Sequence, residues 1–290
     1  MVLPILKLPF LVIQNVLESM GFIELFVFTR SSRRMKWIVK NRIKIPINKA
    51  IMAFGKNLVV KIHNRNMVEW FSADAIFELE YSSEYNFYQN IGKANDVVSE
   101  YFDLESLIPE LSTYWNDMVV GFKELFDELR DIFQISIETL EILKMEQYYE
   151  PILKWTSELN IEKVEMNGVK LDLRLLQFMN APTIEIDNSF FSDVEINLFL
   201  LNLKNHGSNP NLEVLYIFFY RQSRLNIVLD ELGAVQEVLD DELAWSFQLD
   251  TGEKCTIGYN QYEDSQPDRD CFGFEIRVAR RGSEGDTQGK

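Results

Sequence analysis

The side chains able to do chemistry are few in this chain, and they stand apart. The two histidines, His63 and His206, lie in different regions, and neither has a nucleophile or metal ligand at a working spacing around it. Cys255 and Cys271 lack a C-x-x-C partner; two cysteines make no disulfide framework, so free thiols in a reducing, intracellular setting are expected. Gly252 and Gly258 are isolated, which leaves no glycine-rich phosphate loop and makes both read as turn residues. Asp240-Asp241-Glu242 has the carboxylates for a divalent cation, but it interrupts a helical pattern and reads more simply as a solvated end. With 45 acidic residues in the chain, carboxylate pairs arise by chance, and no context marks one for acid–base work. The expectation is a protein that is not an enzyme, has no metal or cofactor, and works by binding.

The elements that must shape such a binding surface have ample material. The 290 residues are 47% hydrophobic and 13% aromatic, enough for one large domain or a small module plus one. The longest apolar runs, such as Leu25 to Phe28, fall far short of the roughly 20 residues of a membrane span. Pro4, Lys7 and Pro9 interrupt the start, against a signal peptide.

Residues 8–43 read as three short helices. Leu8-Pro9 opens the first, since proline presets φ for a helix start, and Gly21 suits a left-handed exit about twelve residues on. Ile13, Val16, Leu17 and Met20 give it an apolar stripe. The block Phe22-Ile23-Glu24-Leu25-Phe26-Val27-Phe28 follows, apolar nearly all round, and then the basic helix around Arg33-Arg34-Met35-Lys36-Trp37-Ile38-Val39. A module this small cannot bury all of that surface itself, so some of it is expected to be lent to another protein.

Charge divides the chain. Residues 1–66 hold twelve Lys/Arg against Glu18 and Glu24, a balance of +10, while 17 bases against 43 acids give the remainder −26. Arg30, Arg33, Arg34, Lys36, Lys40, Arg42 and Lys44 would suit a nucleic-acid helix. A solvated helix face explains them better, because the acidic remainder repels phosphate. A DNA-binding module with an acidic effector domain stands as an alternative.

Leu8-Pro9, the Ile13/Val16/Leu17 stripe and Glu24-Leu25 resemble the F-box, the helical module that docks on the Skp adaptor of cullin-RING ubiquitin ligases. The resemblance implies docking through Leu8, Pro9, Ile13, Val16, Leu17, Leu25 and Phe28. Phe10-Leu11 stands where the family has acidic residues, and Trp37 sits later than the family's tryptophan. Those departures leave open an F-box-derived scaffold that does not join a ligase.

After Pro46 the content turns β-like at Leu58 to Ile62 and Ala75 to Glu80, with an aromatic, turn-rich Tyr81 to Tyr88, which predicts a small β-rich connector over 46–110. From 115 the spacing is helical: Trp115, Met118, Val119, Phe122, Leu125, Phe126, Leu129, Ile132 and Phe133 share one side. That is the longest helix expected, facing a core. Beyond it the chain repeats itself. Ile137-x-x-Leu140-x-Ile142, Ile161-x-x-Val164-x-Met166, Ala181-x-x-Ile184-x-Ile186 and Leu212-x-x-Leu215-x-Ile217 follow one template. Helical stretches lie between them, around Ile152 to Leu159, Leu171 to Met179 and Asp193 to Leu203, the last with Ser192 and Glu195 at capping-box spacing and Gly207 at its exit. Strand and helix in alternation predict a largely parallel sheet backed by helices, leucine-rich-repeat-like but without the asparagine ladder.

This region, with Asn209 to Tyr220 and the closing Phe274-Glu275-Ile276-Arg277, resembles the type 2 F-box-associated domain found mainly in nematode F-box proteins, over most of residues 110–280. The resemblance implies substrate recognition by this domain. Strand geometry adds a site. If Leu140/Ile142 and their equivalents face the helices, Glu141, Glu165 and Glu185 form a row on the open face that Tyr216 completes, with Lys163 beside it. Aligned carboxylates repel, and a cationic segment of a protein partner would relieve them.

The sequence thus predicts an α/β protein, α+β overall. It has an F-box-like helical module over 3–45, a β-rich connector over 46–110, an α/β repeat-like domain over 111–280 and a disordered tail over 281–290. The expected role is a substrate-receptor subunit of a cullin-RING ligase. Its expected partners are the Skp adaptor, the cullin through it and an unknown protein substrate, with no membrane and no nucleic acid.

Overall fold

The computed structural model describes residues 8–43, 47, 49–55, 58–63, 68–75, 87–91, 94–102, 110–143, 150–168, 176, 179–187, 190–206, 209–239, 242–263 and 270–279. The chain divides into two compact units, 1–138 and 139–290.

The first unit opens with three helices: α1 (Phe10–Glu18), α2 (Phe22–Thr29) and α3 (Arg33–Arg42). Pro9 caps α1, its carbonyl accepting from Val12 and Ile13 N–H at 2.9 and 3.1 Å. α1 runs nine residues rather than twelve, because the chain turns at Ser19 and Met20. Gly21 does not close it. This residue is extended, at φ −71° and ψ 170°, and caps α2 instead. Ser32 caps α3, its hydroxyl accepting from Met35 N–H at 3.2 Å.

Six strands follow, β1 (Lys49–Phe54), β2 (Leu58–His63), β3 (Val68–Ala75), β4 (Phe87–Ile91), β5 (Ala94–Phe102) and β6 (Glu110–Trp115), in the order β1-β2-β3-β6-β5-β4. Only β3–β6 is parallel in this group. The expected connector is therefore a full sheet. Its inner face carries the core: β2 alternates, with Leu58, Val60 and Ile62 buried. The segment from Ile76 to Tyr81 and on to Glu84 lies outside the described residues.

Helix α4 (Met118–Phe133) is amphipathic and packs against β2, β3 and β6. Asp117 caps it, accepting from Val119 and Val120 N–H at 3.0 Å each, and Gln134 ends it in the left-handed region at φ 55°. Because its apolar stripe fits the first sheet, the unit boundary falls at Glu138 and not at 110. Gly121 lies under the Trp115 indole, where a Cβ would meet ring carbons at 2.1 Å. A mid-helix glycine weakens α4 by about 1 kcal/mol, and this close approach is what it permits.

The apolar excess of α2 is hidden within the unit. Phe22 packs edge-on against Phe133 at 5.3 Å, and Phe26 against Phe71 at 5.5 Å. Glu69 of β3 is buried and reaches the start of α2. Its Oε1 accepts from Phe22 N–H at 2.8 Å and its Oε2 from Ile23 N–H at 2.7 Å. A Cβ on Gly21 would lie 2.6 Å from that carboxylate.

The second unit holds β7 (Thr139–Leu143), α5 (Glu150–Thr156), β8 (Lys163–Asn167), β9 (Thr183–Asp187), α6 (Asp193–His206) and β10 (Val214–Phe219). The four strands are parallel and in register, as the shared template requires. The capping box at α6 is present: Ser192 N–H donates to Glu195 Oε2 at 2.7 Å and Glu195 N–H to Ser192 Oγ at 3.2 Å. Of the Leu171 to Met179 stretch only Leu176 and Met179 are described, both buried; Gly207 and the tail 281–290 lie outside the described residues.

The rest of the sheet is not parallel. After α7 (Leu225–Val228) come β11 (Val235–Leu239), β12 (Glu242–Gln248), β13 (Lys254–Glu263) and β14 (Asp270–Ala279), an antiparallel meander ordered β11-β12-β13-β14-β10-β9-β8-β7. The unit is therefore a mixed sheet, half parallel and half antiparallel, rather than a repeat array. Two readings are corrected with it. Val235, Val238 and Leu239 mimic a helical stripe but pair as a strand with β12, so Glu242 begins a strand and interrupts no helix. Gly258 is a strand residue opposite Glu275 and Ala244, whereas Gly252 does turn, at φ 92°.

Two hydrogen bonds to one charged group are worth about 1.5–3 kcal/mol each before compensation. Glu69→Ala is therefore expected to lower the unfolding free energy by about 3 kcal/mol, and Glu69→Gln, which keeps one acceptor, by clearly less. Urea titration followed by circular dichroism reads both, and equal stability of all three proteins would refute the capping role.

Candidate functional site

The candidate surfaces are two, one in each unit, and each is described on its own.

In the first unit the structure sorts the seven docking candidates. Ile13, Leu17 and Leu25 are buried at 3% exposure or less, so they belong to the unit's own core and not to a surface. Phe28 is half-buried. Leu8, Pro9 and Val16 are exposed. Beside them stand side chains that the spacing did not single out: Phe10, Val12 and above all Leu11, 72% exposed. Positions 8, 11, 12 and 16 also lie at helical spacing, a second stripe on the far side of α1 from 13 and 17. Trp37 of α3 is exposed too, and the Arg42 guanidinium lies 5.8 Å from the Phe10 ring and 5.5 Å from the Trp37 ring. Arg42 thereby links the two helices into one apolar, cation-edged surface.

Two of the five basic residues of α3, Lys36 and Lys40, are paired with α4, as is Arg30 just before it. Glu128 of α4, buried but for 8%, takes Arg30 and, at 2.6 Å, Lys36; Asp131 takes Lys36 at 3.0 Å and Lys40. These pairs bind α3 to α4, while Arg33 and Arg34 are exposed. Lys44 lies outside the described residues. The Lys40 ammonium, followed by that of Lys36, holds the Asp131 carboxyl below its usual value against a smaller effect of burial.

In the second unit the row expected from strand geometry is present. Register sets Glu141 opposite Glu165, Glu165 opposite Glu185, and Glu185 opposite Tyr216. The parity agrees, since Val164, Met166, Ile184, Ile186, Leu215 and Ile217 are buried on the other face. The antiparallel meander extends the row in a way the repeat template did not foretell: Tyr216 faces Glu275 of β14, and its hydroxyl donates to Glu275 Oε1 at 3.4 Å. Tyr216 also lies parallel to Phe218, ring centroids 6.2 Å apart at 4°.

Lys163 moderates the repulsion, 2.7 Å from Glu165 Oε1 and 2.7 Å from Glu185 Oε2. Burial works to lower the pKa of its ammonium, but the two carboxylates outweigh this and raise it. Asp187, two residues on from Glu185, is pushed above the ordinary carboxylate range, first by burial and then by Glu185 and Glu165. The face therefore carries more negative charge than Lys163, and Arg277 beside Glu275, offset, next to a pair of stacked rings. A segment with Lys or Arg and an apolar or aromatic neighbour has the matching chemistry.

Among the described residues no group of three or more His, Cys, Asp or Glu is placed to hold a metal ion, and no helix is long and apolar enough to cross a membrane. Cys255 is buried on β13 and Cys271 partly buried on β14, and neither is in a disulfide.

The pairing of α3 with α4 has a pH signature. Because Asp131's folded pKa lies below its ordinary value, its contribution to stability is complete above that ordinary value, near 4, and is lost as pH falls through the lowered folded value. Asp131→Asn should be less stable than the native chain at pH 7 in low salt, and the gap should close as pH falls below about 4 or as salt rises. A gap in urea midpoints independent of pH would show that Asp131 acts by packing instead.

A family model described as F-box associated matches residues 153–217, from α5 through β8, β9 and α6 to β10. No significant match was found among curated proteins or among solved structures. The matched segment holds Glu165, Glu185 and Tyr216, so the open-face row lies largely within it. Residues 153–217 are thus similar to the F-box-associated domain.

Proposed function

We propose that this chain is an F-box protein of the nematode kind, a substrate-receptor subunit of a cullin-RING ubiquitin ligase. The observation that carries the reading is the pairing of an F-box-associated segment at 153–217 with an N-terminal three-helix module that keeps an exposed apolar face. The adaptor-facing surface is Leu8 and Pro9 just before α1, Phe10, Leu11, Val12 and Val16 on it, and Trp37 and Arg42 on α3. Ile13, Leu17 and Leu25 hold α1 and α2 on the unit's core, so their truncation would unfold the module before it weakened docking. The open face of the second unit would hold the protein substrate through Glu141, Glu165, Glu185 and Tyr216. Catalysis then belongs to the assembled ligase, for which this chain supplies binding alone. The ion pairs of Arg30, Lys36 and Lys40 with α4 weigh against the DNA-binding alternative.

Full burial of a large apolar side chain is worth about 1.5–3 kcal/mol, and an aspartate in its place adds a desolvation cost. Leu11→Asp with Val16→Asp should therefore reduce co-purification with a co-expressed Skp adaptor by about a hundredfold while leaving the urea midpoint nearly unchanged. An intact chain that does not co-purify would overturn the ligase reading and leave an F-box-derived scaffold.

The substrate face is tested apart from the adaptor. Proteins captured by proximity labelling from the native chain should be depleted when Glu141, Glu165 and Glu185 are all changed to Lys, with adaptor binding retained. Identical capture by both chains would remove this surface from the proposal.

A further inference from the structure

The second unit's sheet ends at β11, a five-residue strand hydrogen-bonded on one side, to β12, with no strand on its other side among the described residues. Such an edge is a template for another strand, and proteins usually blunt it with lysine, proline or a bulge. Val-Gln-Glu-Val-Leu has no lysine, proline or bulge, its one charge is Glu237, and its pairing with β12 is regular from Val235↔Ser246 to Leu239↔Glu242. Its side chains are also unusually bare of cover. Val235 is 66% exposed and Val238 65%, and Leu243 beside Val238 on β12 is 54% exposed. Register explains Val238 and Leu243: they lie on the side of the sheet that carries buried Ile257, Ile276 and Leu215, where the apolar face runs past the cover it has further in.

Charge indicates what would complete it. Residues 225–253 contain eight Asp or Glu and no Lys or Arg. Two copies of this edge paired antiparallel in matched register would set Glu237 opposite itself and bring two acidic hairpins together. We infer that β11 is a strand-addition site for an extended, basic segment of a partner protein, with apolar side chains at alternate positions continuing the Val238/Leu243 side and Lys or Arg facing Glu237. Lys254 of β13 already reaches this carboxylate from the inner side of the sheet, at 2.8 Å, and a partner's cation would share it from the free edge. Main-chain bonds would supply affinity and the alternating side chains selectivity. The inference does not depend on adaptor docking, and Glu237 stands on the same face as the Glu141/Glu165/Glu185 row, three strands beyond Glu275.

The test uses the full chain and a capped peptide of alternating lysine and valine, alongside the same peptide N-methylated at every residue. Both carry the same charge, but the second has no backbone N–H on either edge with which to complete a ladder. The native chain should bind the first peptide with added hydrogen-exchange protection over 235–239, and the N-methylated peptide at least about tenfold more weakly. Val238→Lys, a change at an exposed position, should weaken binding similarly, whereas Glu141→Lys should leave the protection over 235–239 in place. Equal binding of the two peptides, or added protection confined to β7 through β10, would overturn strand addition. Concentration-dependent dimerisation abolished by Val238→Lys would overturn the choice of occupant in favour of a second copy.

Discussion

The N–H groups of Phe22 and Ile23 begin a helix in a nearly all-apolar stretch, and the group that satisfies them comes from a strand more than forty residues later. Glu69 is buried, and it accepts from both. The four N–H groups at a helix start must find acceptors, and α2 has no Ser, Thr, Asp or Asn at its cap to provide one. A glycine stands there instead, because the carboxylate approaches closer than a Cβ would allow. The first unit follows from this arrangement. Joining α2 to β3 sets Phe26 against Phe71 and Phe22 against Phe133, and the helical module and the sheet become one core.

That core decides which apolar surface remains for a partner. The helices at the start of the chain have more apolar residues than a module of their size can hide, and the surplus is divided. Phe22, Leu25 and Phe26, with Ile13 and Leu17, go inward; Leu8, Leu11, Val12 and Val16 stay outside with Trp37. Charge is divided the same way. α3 turns basic residues toward Glu128 and Asp131 of α4, which fixes the third helix and leaves Arg42 between Phe10 and Trp37.

The second unit is arranged around parity. Strands that repeat an apolar template in register place alternate residues on one face, so the acidic row of Glu141, Glu165 and Glu185 follows from the template once the strands are parallel. Its electrostatic strain is tuned by one lysine, and its aromatic end by the antiparallel strand that brings Glu275 to the Tyr216 hydroxyl. The meander then carries the sheet out to β11, where apolar side chains lie exposed in an acidic setting.

The local signals were legible in the sequence. Pro9 at a helix start, the Ser192/Glu195 box, the amphipathic stripe of α4 and the register of β7 through β10 all rest on contacts within a few residues or on a template repeated along the chain. The pairs between distant segments were not. Nothing near Gly21 shows that Glu69 will cap α2, so the glycine reads as a helix exit; nothing near Ile13 shows that it will be buried, so it reads as a docking residue. Val235, Val238 and Leu239 have helical spacing, and only their pairing with β12 makes them a strand. Sequence periodicity fixes which residues share a face, because that is set by backbone geometry along one element. Which face is buried depends on what packs against it, and that only the tertiary structure decides.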